Sequence, residues 1–128
     1  KKLEADREAL DQRQRELADF YLARRDFLRA TLFGFEAFIT RLMVEQAQPG
    51  QHTDNFEHRA DAKQMFEDQT RAHDSPGRAS YRLLRDLRNQ LAHGVSSPRV
   101  EVQKALSAPD RLAAALQRVF DQLLADLP

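Results

Sequence analysis

The chain has no cysteine, and only four glycines and five prolines in 128 residues. Without thiols it can form neither disulfides nor thiolate metal sites, and it carries no sign of secretion. So few breakers suit long helices and exclude a low-complexity linker. No apolar run approaches the roughly 20 residues of a bilayer span, so no membrane partner is expected. Charge of either sign is in balance, with Lys plus Arg and Asp plus Glu at 20 each. Any nucleic-acid site must then be a local patch rather than a global basic field. No glycine-rich phosphate loop is present, which argues against a nucleoside-triphosphate enzyme.

With 41% hydrophobic and 31% charged residues, the composition is that of a soluble helical protein of one-domain size, and a cytoplasmic location is the natural expectation. The sequence opens without methionine inside a charged helical pattern, KKLEADREALDQRQREL, as a piece of a longer chain would. Leu3, Leu10 and Leu17 repeat every seven residues, but the alternate core positions carry Asp6 and Arg13. A stable coiled coil needs two apolar positions per heptad. Residues 1–16 are therefore read as a charged helical connector or extension, and 17–128 as the domain proper.

From Leu17, apolar residues at three- and four-residue steps (Leu17, Tyr21, Leu28, Leu32, Phe35, Ile39, Leu42) predict one long helix ending near Gln48, Pro49 and Gly50. Gly34 inside it signals close helix packing or simple tolerance. Phe20, Phe27, Phe33 and Phe38 fall off the main stripe and would widen the buried face or form a dimer surface. A second, weakly striped helix starts at Asp54, with Glu57 completing a capping box. Ser75, Pro76 and Gly77 separate it from a third helix, Pro76 suiting a first helical position. The loop GVSSPR follows, then a segment of uncertain structure over 100–106. The last helix carries a capping box of Ser107 with Asp110 and a broad stripe of Leu112, Leu116, Val119, Phe120, Leu123 and Leu127. The expectation is an all-α bundle of four helices, five at most.

The third helix ends in LRDLRNQLAHG, residues 84–94. Leu84, Leu87 and Leu91 mark its buried side, and Gly94 is placed as a helix stop. Arg88, Asn89 and His93 thus occupy its last turns. This string, R-N-x-x-x-H followed by glycine, resembles the R-x(4–6)-H signature of the HEPN superfamily (higher eukaryotes and prokaryotes nucleotide-binding). The resemblance is sharp over about a dozen residues and architectural elsewhere. It implies a small all-α homodimer and a metal-independent endoribonuclease of bacterial defence. It further implies one of two settings: effector half of a CRISPR-associated protein whose upstream domain senses cyclic oligoadenylate, or a toxin restrained by an antitoxin. Neither a cofactor nor a metal is expected.

The chemistry suits the residue types. Metal-free RNA cleavage needs a proton handled at the ribose 2′-hydroxyl and negative charge stabilised at phosphorus. Histidine can give or take a proton near neutral pH, and arginine grips phosphate oxygens with a planar fork of donors. Asn89, one turn before His93, could orient the imidazole or contact phosphate. Five residues advance an ideal helix by about 500°, so Arg88 and His93 point roughly 140° apart. Either the helix distorts before Gly94 or two copies bring their motifs together, and the HEPN resemblance implies the second. Arg82 and Arg85 on the same helix, with Arg78 and Arg99 flanking it, could widen a basic patch that Asp86 opposes. His52, His58 and His73 lack metal-ligand spacing and are read as surface residues. Taken without the family, Arg88 and His93 have a plainer explanation, complementing a helix dipole. The competing function is then a helical dimerisation or adaptor module with no chemistry.

Overall fold

The computed structural model describes residues 2–45, 56–71 and 75–125, with side chains described over 10–45, 58–71 and 75–125. Every regular element among the described residues is helical: α1 (Lys2–Ala23), α2 (Phe27–Glu45), α3 (Phe56–Thr70), α4 (Pro76–His93), α5 (Val100–Leu106) and α6 (Pro109–Leu123). The all-α class holds, but the described residues carry six helices where four or five were expected. None of them is long and apolar enough to cross a membrane.

One extra helix comes from a break in the first. Arg25 adopts a left-handed backbone at φ 58°, and the Asp26 amide turns back to the Tyr21 carbonyl at 2.9 Å. Asp26 then starts α2 by accepting from the Arg29 amide and guanidinium, which supplies the cap a new helix needs. The chain folds into a hairpin in which the Tyr21 ring stacks on Phe33 at 5.6 Å. The break changes which residues are buried. Leu17, Leu28 and Leu32, expected in the stripe, are exposed, whereas Leu22, Ala30 and Phe38 join Phe35, Ile39 and Leu42 in the core. Phe27 and Phe33 pack partly buried against it. The other extra helix is α5, which buries Val102 and Ala105.

The expected boundary at residue 16 falls inside α1, which runs through it unbroken. Arg15 also reaches across the bundle: its Nη1 donates to the Phe120 and Leu124 carbonyls at 3.2 and 2.6 Å. From α2, Arg41 donates to the Leu123 and Ala125 carbonyls at 2.7 and 3.0 Å. Two guanidiniums therefore bond to carbonyls at and just past the C-terminal end of α6, where positive charge is also favoured by the dipole.

The start of α6 differs from expectation. Its cap is the extended Ala108, without a side-chain bond, and Pro109 takes the first helical position. Ser107 instead donates back to the Lys104 carbonyl, so the Ser107–Asp110 capping box does not form. The expected stripe of α6 is buried from Leu112 to Leu123, with Leu127 outside the described residues. The Asp54–Glu57 box also lies outside what is described. Among the described side chains of α3 only Ala62 is buried, consistent with its weak stripe, and Phe66 packs edge-on to Phe38 and Tyr81 at 5.1 and 5.2 Å.

Tyr81 joins α3 to α4. It is 1% exposed and donates its hydroxyl to Glu67 Oε1 at 2.7 Å. Burial, and secondarily the hydrogen bond to Glu67, hold the phenol well above its ordinary range. The folded state keeps this proton at a pH where the unfolded chain releases it, near pH 10. The stabilisation is thus fully present below that pH and lost as pH rises above it. Urea titrations should show the wild type losing stability relative to Tyr81→Phe between about pH 9 and pH 11. At neutral pH the variant should cost about 1 kcal/mol, one net hydrogen bond. Parallel pH curves for the two proteins would refute the assignment.

Candidate active site

Local chemistry fixes the motif helix at both ends. Ser75 caps α4 by accepting from the Arg78 amide at 3.1 Å, with Pro76 in the first turn. At the other end Gly94 turns left-handed at φ 68°, its amide bonding to the Gln90 carbonyl and that of Val95 to Asn89. Leu84 and Leu87 are fully buried, whereas Leu91 is half-buried. The helix is regular to His93, so the motif is not brought together by a distortion before Gly94.

Arg88 is half-buried and turned toward α2. Its guanidinium carbon lies 4.1 Å from the centre of the Phe35 ring, and its Nη2 donates to Asn89 Oδ1 at 2.9 Å. Nε is buried without a hydrogen-bond partner, and the face of Phe35 offsets that deficit through the attraction of a cation for an aromatic ring. No carboxylate among the described residues pairs with Arg88, and its Nη1 makes no bond. Asn89 therefore orients the arginine rather than the histidine. His93 ends the helix, exposed, with no hydrogen bond to Arg88 or Asn89 among the described residues. The structure brings Arg88 and Asn89 together and leaves His93 apart, the divergence that helical geometry dictates.

The neighbouring arginines are in a different state. Arg85 pairs with Asp86 and reaches Glu67 at 3.6 Å. Arg99, beyond the helix, pairs with both Asp86 and Glu101. Arg78 donates to the Glu67 carbonyl and the Thr70 hydroxyl, tying α4 to α3. Asp86 thus opposes a wide basic patch by neutralising two of its candidate members. Beside the motif, the loop over 94–99 and the last turns of α4 enclose an open cleft of about 320 Å³. The chain matches no protein-family profile, no curated protein and no solved structure.

Sequence reasoning missed three features of this region. Phe35 as a platform under Arg88 belongs to another helix and carries no local signal. The Asp86–Arg99 pair spans 13 residues and depends on the loop closing back on the helix. The cleft itself exists only once that loop is placed. Among the described residues no group of three His, Cys, Asp or Glu could hold a metal ion. His58 is half-buried on α3, and His52 and His73 lie outside the described residues.

Proposed function

We propose that the protein is a metal-independent endoribonuclease of the HEPN type that cleaves single-stranded RNA as a homodimer. The observation that carries this reading is a contrast among three arginines at the end of α4 and just beyond it. Arg85 and Arg99 are neutralised by carboxylates, while Arg88 is held by Phe35 and Asn89 with no counter-charge. A half-buried, oriented and unpaired guanidinium is a preorganised anion site, suited to the charge that develops at a scissile phosphate. His93, solvent-facing on the same helix end, is free to handle a proton.

Because one helix points the two residues apart, each cleft takes Arg88 from one copy and His93 from its partner, or both from each. Val100, 68% exposed just past the motif loop, offers the second copy an apolar contact, and a twofold pair is the commonest small assembly. In the reaction the ribose 2′-oxygen loses its proton and bonds to phosphorus, and the P–O5′ bond breaks. The leaving 5′-oxygen takes up a proton, giving a 2′,3′-cyclic phosphate and a 5′-hydroxyl. Arg88 stabilises the phosphate, Asn89 orients Arg88, and His93 does the acid or base work. The HEPN resemblance supports a place in prokaryotic defence, as a CRISPR-associated effector or a toxin.

The test is incubation of the purified chain with end-labelled single-stranded RNA in excess EDTA, with product ends mapped. Cyclic-phosphate ends that are absent with His93→Ala are the expected result. A folded dimer that leaves RNA intact would favour the second reading, a non-catalytic adaptor. That reading draws on the same inward stacking of Arg88 on Phe35, which alone would justify an arginine there.

A further inference from the structure

We propose that the cleft between the last turns of α4 and residues 95–99 is a subsite for one unpaired RNA base, next to the phosphate held by Arg88. The proposal rests on the ribonuclease reading of this helix end and adds where the substrate's base lies. At about 320 Å³ the cleft is at the small end of ligand sites, with room for a base.

Charge decides what class of group fits. In and around the cleft, two guanidiniums, Arg85 and Arg99, face three carboxylates, Asp86, Glu67 and Glu101. Such a neutralised cluster gives no attraction for a second phosphate, since a dianion would have to displace existing ion pairs. A neutral base can still stack on a planar guanidinium, and Arg85 and Arg99 both line the cleft. The apolar wall of Val95 and Pro98 suits the same flat ligand.

Hydrogen-bonding capacity points the same way. Asn89 lines the cleft and among the described residues uses only its carbonyl oxygen, toward Arg88. Both its amide hydrogens and one lone pair are unspent, the donor and acceptor set that reads a base edge. Ser96 adds a hydroxyl to the lining, without a hydrogen-bond partner among the described residues. The loop is already braced: Ser97 accepts from the Arg99 amide and from Gln103, and Arg99 is tied to Asp86. Ordering costs on binding are correspondingly small. Because Asn89 touches both Arg88 and the cleft, it couples base to phosphate within a single nucleotide.

The experiment is an NMR titration of the whole chain with adenosine, inosine, cytidine and uridine, and separately with inorganic phosphate. Nucleosides should shift the amides of Ser96, Ser97 and Arg99 and the Asn89 side-chain amide, with roughly millimolar affinity for a single base. Ser96→Trp, a change at an exposed loop position, should weaken this at least tenfold while leaving Tm unaltered. Asn89→Asp should reorder the four nucleosides, because donors become acceptors. Shifts of these amides by phosphate but not by nucleosides would overturn the proposal, as would undiminished binding to Ser96→Trp. Nucleoside binding without RNA cleavage would keep the base site and remove the nuclease; cleavage without nucleoside binding would do the reverse.

Discussion

His93→Ala should abolish RNA cleavage and leave Tm where it was, whereas Arg88→Ala should abolish cleavage and lower Tm as well. The two residues belong to one proposed site but to different environments. His93 is exposed at the end of α4 without partners among the described residues, so its loss removes chemistry and little else. A general acid or base is worth about 10²- to 10⁴-fold in rate, and the cleavage rate of His93→Ala should fall by that factor. Arg88 lies over Phe35 and bonds to Asn89. Deleting it removes a cation–π contact worth about 0.5 to 2 kcal/mol and the packing of its stem. Relief of the buried, unpartnered Nε offsets part of that cost, so the net loss should be near 1 kcal/mol, or about 4 °C in Tm. Arg88→Lys retains charge without the planar fork and should recover stability better than activity. Thermal melts beside single-turnover cleavage on both variants separate these effects. Cleavage by His93→Ala at the wild-type rate would sink the ribonuclease reading, and a Tm loss there equal to that of Arg88→Ala would make His93 a structural residue.

How much of this was legible in the sequence depends on the range of the interactions. α4 was readable from end to end, because Ser75, Pro76 and Gly94 act on the backbone within a few residues of themselves and Leu84 and Leu87 follow helical spacing. The stripe of α6 was equally plain, but its cap was assigned to Ser107 when Pro109 sets the start. Local rules favour both, and only the return of Ser107 to Lys104 decides between them. The α1–α2 break left a signal that periodicity overran: the three- and four-residue steps on from Tyr21 fall on Arg24 and Arg25, and the capping Asp26 follows. The seven-residue α5 was too short to show a period.

At the candidate site, the identity of Arg88, Asn89 and His93 came from local pattern, but their arrangement did not. Whether Arg88 faces solvent or Phe35 is settled by a helix more than fifty positions earlier in the chain. The neutralisation of Arg85 and Arg99 likewise depends on Glu67 and on the path of the loop. Sequence supplied the chemistry-bearing residues, and tertiary contacts decided which of them carry an uncompensated charge.

Gly34 shows the same division in stability, and Gly34→Ala should destabilise the bundle by roughly 1 to 3 kcal/mol, the usual range for overpacking. Helix propensity alone predicts the opposite sign, a gain of about 1 kcal/mol for alanine. Packing prevails because a Cβ at Gly34 would overlap the Phe120 ring, with its Cζ at 2.6 Å, well inside the 3.5 to 4.0 Å optimum for carbon atoms. Phe120 is itself fully buried, and its helix is clamped at the C-terminal end by Arg15 and Arg41, so the ring has little room to withdraw. Phe120→Leu alone should also be destabilising, by removing part of a buried side chain. Combined with Gly34→Ala it should be less damaging than the sum of the two, with a coupling of about 0.5 to 3 kcal/mol, since the smaller side chain vacates the space the methyl enters. Urea denaturation of the four proteins in the cycle measures that coupling directly. Additive losses would mean that Gly34 is kept for some reason other than the approach of Phe120.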